Sequence, residues 1–132
     1  MKRFLCDSNV IIELTRGARC HPKVDQWRRS LAKAQLLVPA IAAGEFFAGN
    51  PDKQELRIFQ RLIAHKRSFL PVELTAAKTF GLVSREMPLG VTIEANDLWI
   101  AVIARTWRLT VATRNKMHFS STKVDLFDPW SD

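Results

Sequence analysis

Three carboxylates, Asp7, Glu45 and Asp97, are the residues of this chain whose surroundings suggest shared chemistry. Asp7 follows a short apolar stretch, Glu45 lies in an Ala-rich segment, and Asp97 precedes a long apolar run. Carboxylates held close together repel one another unless a cation lies between them. A hard divalent ion such as Mg²⁺ binds carboxylate and phosphate oxygens and can activate water for phosphodiester hydrolysis. The pattern indicates metal-dependent hydrolysis, provided that the fold brings the three acids together.

Each acid also has a simpler explanation when it is taken alone. An Asp after a strand is often a turn or capping residue, as Asp7 would be. An Asp in the first turn of a helix favours the helix dipole, as Asp97 would. Glu45 would then simply point into water.

Residues 91–115 are the stretch that would position Asp97. Asn96 and Asp97 stand where a helix should begin, and the apolar run Leu98–Ala104 predicts that this helix is buried. A turn over the next four residues leads to a strand, Leu109–Ala112. The polar tripeptide Thr113–Asn115 would lie just beyond that strand's carboxyl end. Open α/β sheets bind their ligands in such a crevice.

The remaining segments alternate between strand and helix patterns. Ser8 is a plausible N-cap for the first helix. Asn50 is predicted to cap a helix that runs to Lys66–Arg67. We expect a three-layer α/β domain over residues 1–132, with a short, mostly parallel sheet flanked by helices. The other predicted strands are Lys2–Cys6, Leu36–Pro39, Phe69–Val72 and Val124–Phe127, and the other helices are Ala40–Ala48, Leu74–Arg85 and one that starts at Pro22.

The charge balance indicates a polyanionic partner. Twenty Lys and Arg residues oppose thirteen Asp and Glu residues, which gives a net charge of +7. Such an excess favours nucleic acid first, or an acidic protein, although a basic, well-solvated surface would give the same number. No apolar run is long enough for a membrane span, and Asp7 interrupts the start too early for a signal peptide. We therefore expect a cytoplasmic protein with no membrane partner.

Four blocks of the sequence stand in order over nearly the whole chain: Phe4–Ile12, Ile41–Glu45, Asn96–Ala104 and Val111–Asn115. Together they resemble the PIN-domain proteins, especially the small VapC-type toxins. That family begins with an apolar strand, Asp-Thr-Asn and an apolar helix. Its second acid, its Asn-Asp-Leu-x-Ile-Ala-x-x-Ala helix and its Val-Thr-Arg-Asn strand end then follow.

This resemblance implies a metal-dependent endoribonuclease that serves as the toxin of a type II toxin–antitoxin system. Its catalytic and metal-binding residues would be Asp7, Glu45 and Asp97, with Mg²⁺ or Mn²⁺ as the cofactor. Hydrolysis would leave a 5′-phosphate and a 3′-hydroxyl. The family resemblance also implies a homodimer and neutralisation by a cognate antitoxin.

One position departs from the family pattern. The family continues Thr-Arg-Asn-x-x-Asp-Phe, whereas this chain has His118 before Phe119. Three acids can still hold one ion, but a second ion or tight Mg²⁺ binding is put in doubt. His118 could be a ligand for Mn²⁺, contact the scissile phosphate, or be a loop histidine without a role. Glu94, one helical turn before Asp97, could replace the missing charge or be solvated.

Supporting roles are predicted for residues around the proposed crevice. Asn9, Thr113 and Asn115 could hydrogen-bond the acids or the waters of a metal ion, or be ordinary cap and turn residues. Arg114 and Lys116 are expected to contact RNA phosphates.

The tryptophans divide into two groups. Trp27, Trp99 and Trp107 are predicted to lie in the core. Trp130 lies in a polar tail, and the sequence leaves open whether it stacks on bases.

Two other functions remain open at this stage. The chain could be an RNA-binding module of the same fold with weak or no turnover, because it lacks the fourth acid. It could also be a structure-specific DNA or flap nuclease. A divalent-metal titration with labelled RNA would separate these functions.

Overall fold

A parallel sheet of five short strands forms the centre of the molecule, in a computed structural model that describes residues 1–132. The strand order is β3-β2-β1-β4-β5, and every neighbouring pair is parallel. The carboxyl ends of all five strands therefore meet at one edge of the sheet. The strands are β1 (Phe4–Cys6), β2 (Leu36–Pro39), β3 (Phe69–Leu70), β4 (Thr110–Ala112) and β5 (Leu126–Phe127).

The central strands are covered on both faces. Every residue of β1, β2 and β4 is buried, which is the pattern of a parallel sheet with helices on both sides. The buried apolar side chains form one continuous core of 27 residues. The predicted three-layer α/β architecture is therefore confirmed.

Six α-helices and three short 3₁₀ helices connect and cover the strands. None of them combines the length and apolar character needed to span a bilayer. The 3₁₀ helices are Gly17–Arg19, Lys33–Gln35 and Lys116–Thr122. The α-helices are α1 (Ser8–Leu14), α2 (Pro22–Arg29), α3 (Ala40–Ala48), α4 (Lys53–Leu62), α5 (Leu74–Glu86) and α6 (Ala95–Trp107).

The N-caps of α1 and α4 differ from the predicted ones. Asp7, not Ser8, caps α1, because the backbone is still extended at Asp7 and its carboxylate accepts the Ser8 amide. Asp52, not Asn50, caps α4. Asp52 and Glu55 each accept the other's backbone amide, at 2.8 and 2.9 Å, which is a capping box.

The ends of α4 and α6 also differ from the prediction. Helix α4 stops at Leu62 and does not reach Lys66. Helix α6 continues through the predicted turn to Trp107, and Arg108 ends it in the left-handed conformation at φ 55°. Six residues of α6 between Leu98 and Ala104 are buried, so this helix is central to the packing.

The tryptophan prediction is correct for Trp27 and Trp99 but wrong for Trp107. Trp27 is buried, and Trp99 stacks on Phe80 with the ring centroids 4.2 Å apart. Trp107 is 44% exposed because the longer α6 carries it to the surface.

Candidate active site

The carboxyl edge of the sheet is where the sequence-predicted acids are placed. Asp7 and Thr113 directly follow β1 and β4, whose last residues are register partners. Helix α3 begins where the neighbouring β2 ends, and it carries Glu45. Asp97 lies in the first turn of α6. The parallel connections thus bring residues 90 positions apart in sequence to one crevice.

Asp7 is held in a single orientation by three donors. Its side chain is buried, with 5% of the residue exposed. Oδ1 accepts the Ser8 backbone amide at 2.8 Å. Oδ2 accepts the Thr113 hydroxyl at 2.8 Å and the Asn9 amide at 3.3 Å. All three donors are neutral groups, and no cationic side chain is among them.

A further set of bonds fixes those donors. The Asn9 Oδ1 atom accepts the backbone amide of Arg114 at 3.2 Å. The Thr113 hydroxyl oxygen accepts the backbone amide of Asn115 at 3.0 Å. Asn9 and Thr113 therefore contact Asp7 through their side chains, whereas Asn115 supports it through its main chain. Their roles toward a metal ion stay predictions.

Glu45 has an incomplete environment. Its Oε1 atom is buried and has no hydrogen-bond partner, which is costly for a carboxylate oxygen. Burial raises the pKa of Glu45, and the negative charges of Asp7 and Asp97 raise it further. The side chains of Asn96 and Ser8 act in the opposite direction.

Asp97 is subject to the same repulsion. Its pKa is raised first by burial and then by the charge of Asp7, with Glu94 adding to the effect. His118 opposes it, because its Nδ1 atom lies 3.5 Å from Asp97 Oδ2. Asp7 therefore acts on both of the other acids, which shows that the three charges lie close enough to repel.

The two alternative fourth groups are placed differently. His118 lies in the 3₁₀ helix Lys116–Thr122, beside Asp97, and its side chain is 59% exposed. Glu94 is the N-cap residue of α6, is exposed, and makes no capping bond through its side chain. His118, whose ring nitrogen is a possible metal ligand, therefore lies next to Asp97.

The donor set fits a hard divalent ion in its chemistry. No three acidic, histidine or cysteine side chains are arranged closely enough to enclose one ion, so the metal site stays a prediction. Glu45 nevertheless presents a buried oxygen without a partner, and all three acids offer oxygen ligands. A divalent cation among them would pair Glu45 Oε1 and offset the mutual repulsion.

Two basic residues after β4 contact the C-terminal segment 128–132. The Lys116 Nζ atom lies 2.6 Å from Asp132 Oδ2. The Arg114 guanidinium carbon lies 5.0 Å from the centre of the Trp130 ring. The sequence leaves the role of Trp130 open, and no local pattern in this segment predicts either contact.

The PIN domain model matches residues 4–124, which is most of the chain. The chain belongs to the PIN-domain family. The predicted family is therefore confirmed, and the PIN fold accounts for the four blocks seen in the sequence.

One similar protein is a named toxin, and two solved structures share the fold. Toxin FitB of Neisseria gonorrhoeae is 32% identical, and the alignment covers 98% of this chain and 99% of FitB. A chain in the crystal structure of FitAcB from the same organism superposes with a TM-score of 0.80 at 28% identity, covering 98% and 99%. VapBC2 of Rickettsia felis, bound to a promoter DNA fragment, has a chain that superposes with a TM-score of 0.75 at 17% identity, covering 94% and 96%. The resemblance to PIN-domain toxins is confirmed by these relatives.

We predict that Glu45→Gln stabilises this PIN domain in the absence of divalent ions, increasingly so at higher pH. The folded-state pKa of Glu45 is raised above its ordinary value of 4.5, so ionisation costs stability as pH rises beyond that value. Glutamine keeps the shape and carries no charge. Melting temperatures of wild type and Glu45→Gln are measured in EDTA at pH 4 and pH 7.5. The two proteins should melt at nearly the same temperature at pH 4, and the variant should melt on the order of 2 °C higher at pH 7.5.

Glu55→Gln, in the capping box of α4, is the control for a general effect of removing acid. An equal or lower melting temperature for Glu45→Gln at pH 7.5 would contradict the repulsion inferred at the site.

Proposed function

We propose that this PIN-domain chain is a metal-dependent endoribonuclease and the toxin of a toxin–antitoxin pair. The observation that carries the proposal is the meeting of Asp7, Glu45 and Asp97 at one edge of the sheet, with Glu45 Oε1 buried and unpaired. The similarity to Toxin FitB supports the toxin role. The net charge of +7 supports a polyanionic substrate.

Each residue of the site has a separate task in this proposal. Asp7, Glu45 and Asp97 would hold Mg²⁺ or Mn²⁺ through carboxylate oxygens. Asn9 and Thr113 would orient Asp7 through their bonds to Oδ2. Because these donors are themselves fixed by main-chain amides, the orientation of Asp7 would be set before an ion binds.

The proposed reaction is hydrolysis of an internal phosphodiester bond. A divalent ion in this site supplies activation of water and neutralisation of the charge that develops on the phosphate. Water forms a bond to phosphorus, the bond from phosphorus to the 3′-oxygen breaks, and that oxygen leaves with a proton. The products are a 5′-phosphate and a 3′-hydroxyl. The basic residues near the crevice offset the charge of the RNA strand.

The proposed protein partners follow from the relatives. The relative FitB is named as a toxin, and we extend an antitoxin partner to this chain. A basic toxin suits an antitoxin with an acidic or amphipathic segment that covers the crevice. A homodimer is proposed as well, because Leu74, Leu82 and Leu89 leave apolar surface exposed on α5 and the loop after it. RNA cleavage by this toxin would take place in the cytoplasm.

We predict that Asp97→Asn lowers RNA cleavage by at least about a hundredfold and leaves the fold intact, because a metal ligand is lost while the side-chain shape is kept. Cleavage of end-labelled RNA with Mn²⁺ or Mg²⁺ measures the rate. Analysis of the product ends should show 5′-phosphates. Circular dichroism checks the fold.

Asp125→Asn is the matched control, since Asp125 is an exposed aspartate just before β5, at the opposite end of the strands. Full cleavage by Asp97→Asn would show that the site is wrongly assigned. RNA that is bound but not cut by the wild-type protein would favour the binding-module function. Preferential cutting of DNA flaps would favour the alternative function, a structure-specific DNA or flap nuclease.

We predict that His118→Asp shifts the metal preference from Mn²⁺ towards Mg²⁺. With His118 the site carries one negative charge fewer than the family pattern, and Mn²⁺ accepts a nitrogen ligand more readily than Mg²⁺ does. Calorimetric titration of each ion into both proteins should show tighter Mg²⁺ binding by the variant. Cleavage rates at matched ion concentrations should follow the same order.

His65→Asp is the control, because His65 is exposed and lies between α4 and β3. Unchanged binding of both ions by His118→Asp would place His118 outside the metal site.

A further inference from the structure

The segment after β5 forms a compact turn at the same sheet edge as the acids. β5 ends beside Thr113, whose backbone amide donates to the Phe127 carbonyl at 2.9 Å. Asp128 organises the turn that follows. Its carboxylate accepts the Trp130 amide at 2.8 Å, and its carbonyl accepts the Asp132 amide at 2.7 Å. These bonds fix the turn at the edge of the sheet where β5 ends.

Trp130 in this turn and Arg114 just after β4 contact each other. The Trp130 ring is half-buried and packs against the core. The guanidinium of Arg114 lies over this ring, with 5.0 Å between its carbon and the ring centre, within cation–π range. The main chain of Arg114 is tied to Asn9, which in turn donates to Asp7. The guanidinium is thus placed over the aromatic ring, and Arg114 remains exposed to solvent.

Lys116 has a different environment. Its ammonium pairs with the exposed Asp132 carboxylate, and this carboxylate also accepts the Asp128 amide at 2.9 Å. An exposed ion pair of this kind is weak, so a phosphate can replace the carboxylate. Lys116 therefore suits contact with the RNA backbone, whereas the planar guanidinium of Arg114 suits a flat partner.

We propose that Arg114, backed by Trp130, is a stacking platform for one nucleobase of the RNA strand next to the cleaved bond. This inference rests on the proposed RNA substrate and assigns Arg114 to a base instead of a phosphate. Single-stranded RNA is commonly held by stacking its bases on aromatic rings and on arginine planes. Trp130 is a positioning residue, because it holds the guanidinium in place and does not itself touch the base.

The experiment compares binding of two ligands by the full chain in EDTA, where cleavage cannot occur. One ligand is a short single-stranded RNA, and the other is an abasic ribose-phosphate strand of the same length. Fluorescence anisotropy gives the affinity at several salt concentrations. Arg114→Lys keeps the charge and removes the plane, and Trp130→Leu removes the support. Trp107→Leu is the control for losing a tryptophan away from Arg114, since Trp107 lies at the far end of α6.

We expect Arg114→Lys and Trp130→Leu each to bind the RNA about tenfold more weakly than wild type, and to bind the abasic strand equally well. Their salt dependence should match that of wild type, because no phosphate contact is lost. Lys116→Gln should instead weaken the binding of both ligands. It should also lower the slope of log affinity against log salt concentration by about one. Trp130→Phe keeps a ring beneath the guanidinium and should bind nearly as wild type does, which separates stacking support from loss of folding.

Two results would overturn the platform. One is Arg114→Lys binding the RNA as tightly as wild type. The other is an equal loss on the abasic strand, which would mean that Arg114 contacts phosphate. Neither bears on catalysis, which is measured separately with divalent metal and Asp97→Asn. If the protein stacks bases but never cuts RNA, the stacking platform is supported and the proposed nuclease function is contradicted.

Discussion

The buried carboxylate of Asp7 is the group on which the rest of the site depends. It ends the central strand β1, caps α1 and receives the Thr113 hydroxyl from the end of β4. Its negative charge is also a cause of the raised pKa of both Glu45 and Asp97. A single side chain thus joins two strands and a helix and makes the crevice electrostatically unfavourable for further negative charge.

The parallel sheet explains how so small a chain can tolerate this arrangement. Its strands are only two to four residues long, and the three central ones, β1, β2 and β4, are covered on both faces. The core therefore holds the backbone on which the acids lie. The residues that follow the strands then lie at one edge, where main-chain amides are available as donors. Asp7, Asn9 and Thr113 use these donors, whereas Glu45 Oε1 lacks one. Such a local deficit is typical of a functional position rather than of a structural one.

The sequence was most informative where the signal was local. The Ala-rich pattern predicted α3 to the residue, and the apolar run after Asp97 predicted a buried helix. Helix caps were less certain, because neighbouring polar residues compete and only the backbone angle decides between Asp7 and Ser8. Trp107 is exposed because α6 continues beyond its apolar run. The spacing of apolar residues does not define where that helix ends.

Contacts between distant polar residues could not be predicted in the same way. The Lys116–Asp132 and Arg114–Trp130 pairs join the end of β4 to the turn after β5, so they exist only because these strands are neighbours. The contact of His118 with Asp97 also depends on a 3₁₀ helix that no periodicity marked. The family pattern identified the position of His118, but not its neighbour.

One divalent ion shared by Asp7, Glu45 and Asp97 is the basis of the proposed chemistry. Anomalous diffraction from crystals of the protein equilibrated with Mn²⁺ would locate such an ion independently of activity. We expect a manganese peak between the three acids, bonded to a carboxylate oxygen of each, with Glu45 Oε1 among them. Manganese bound only elsewhere on the protein, with the three acids unchanged at saturating Mn²⁺, would contradict it.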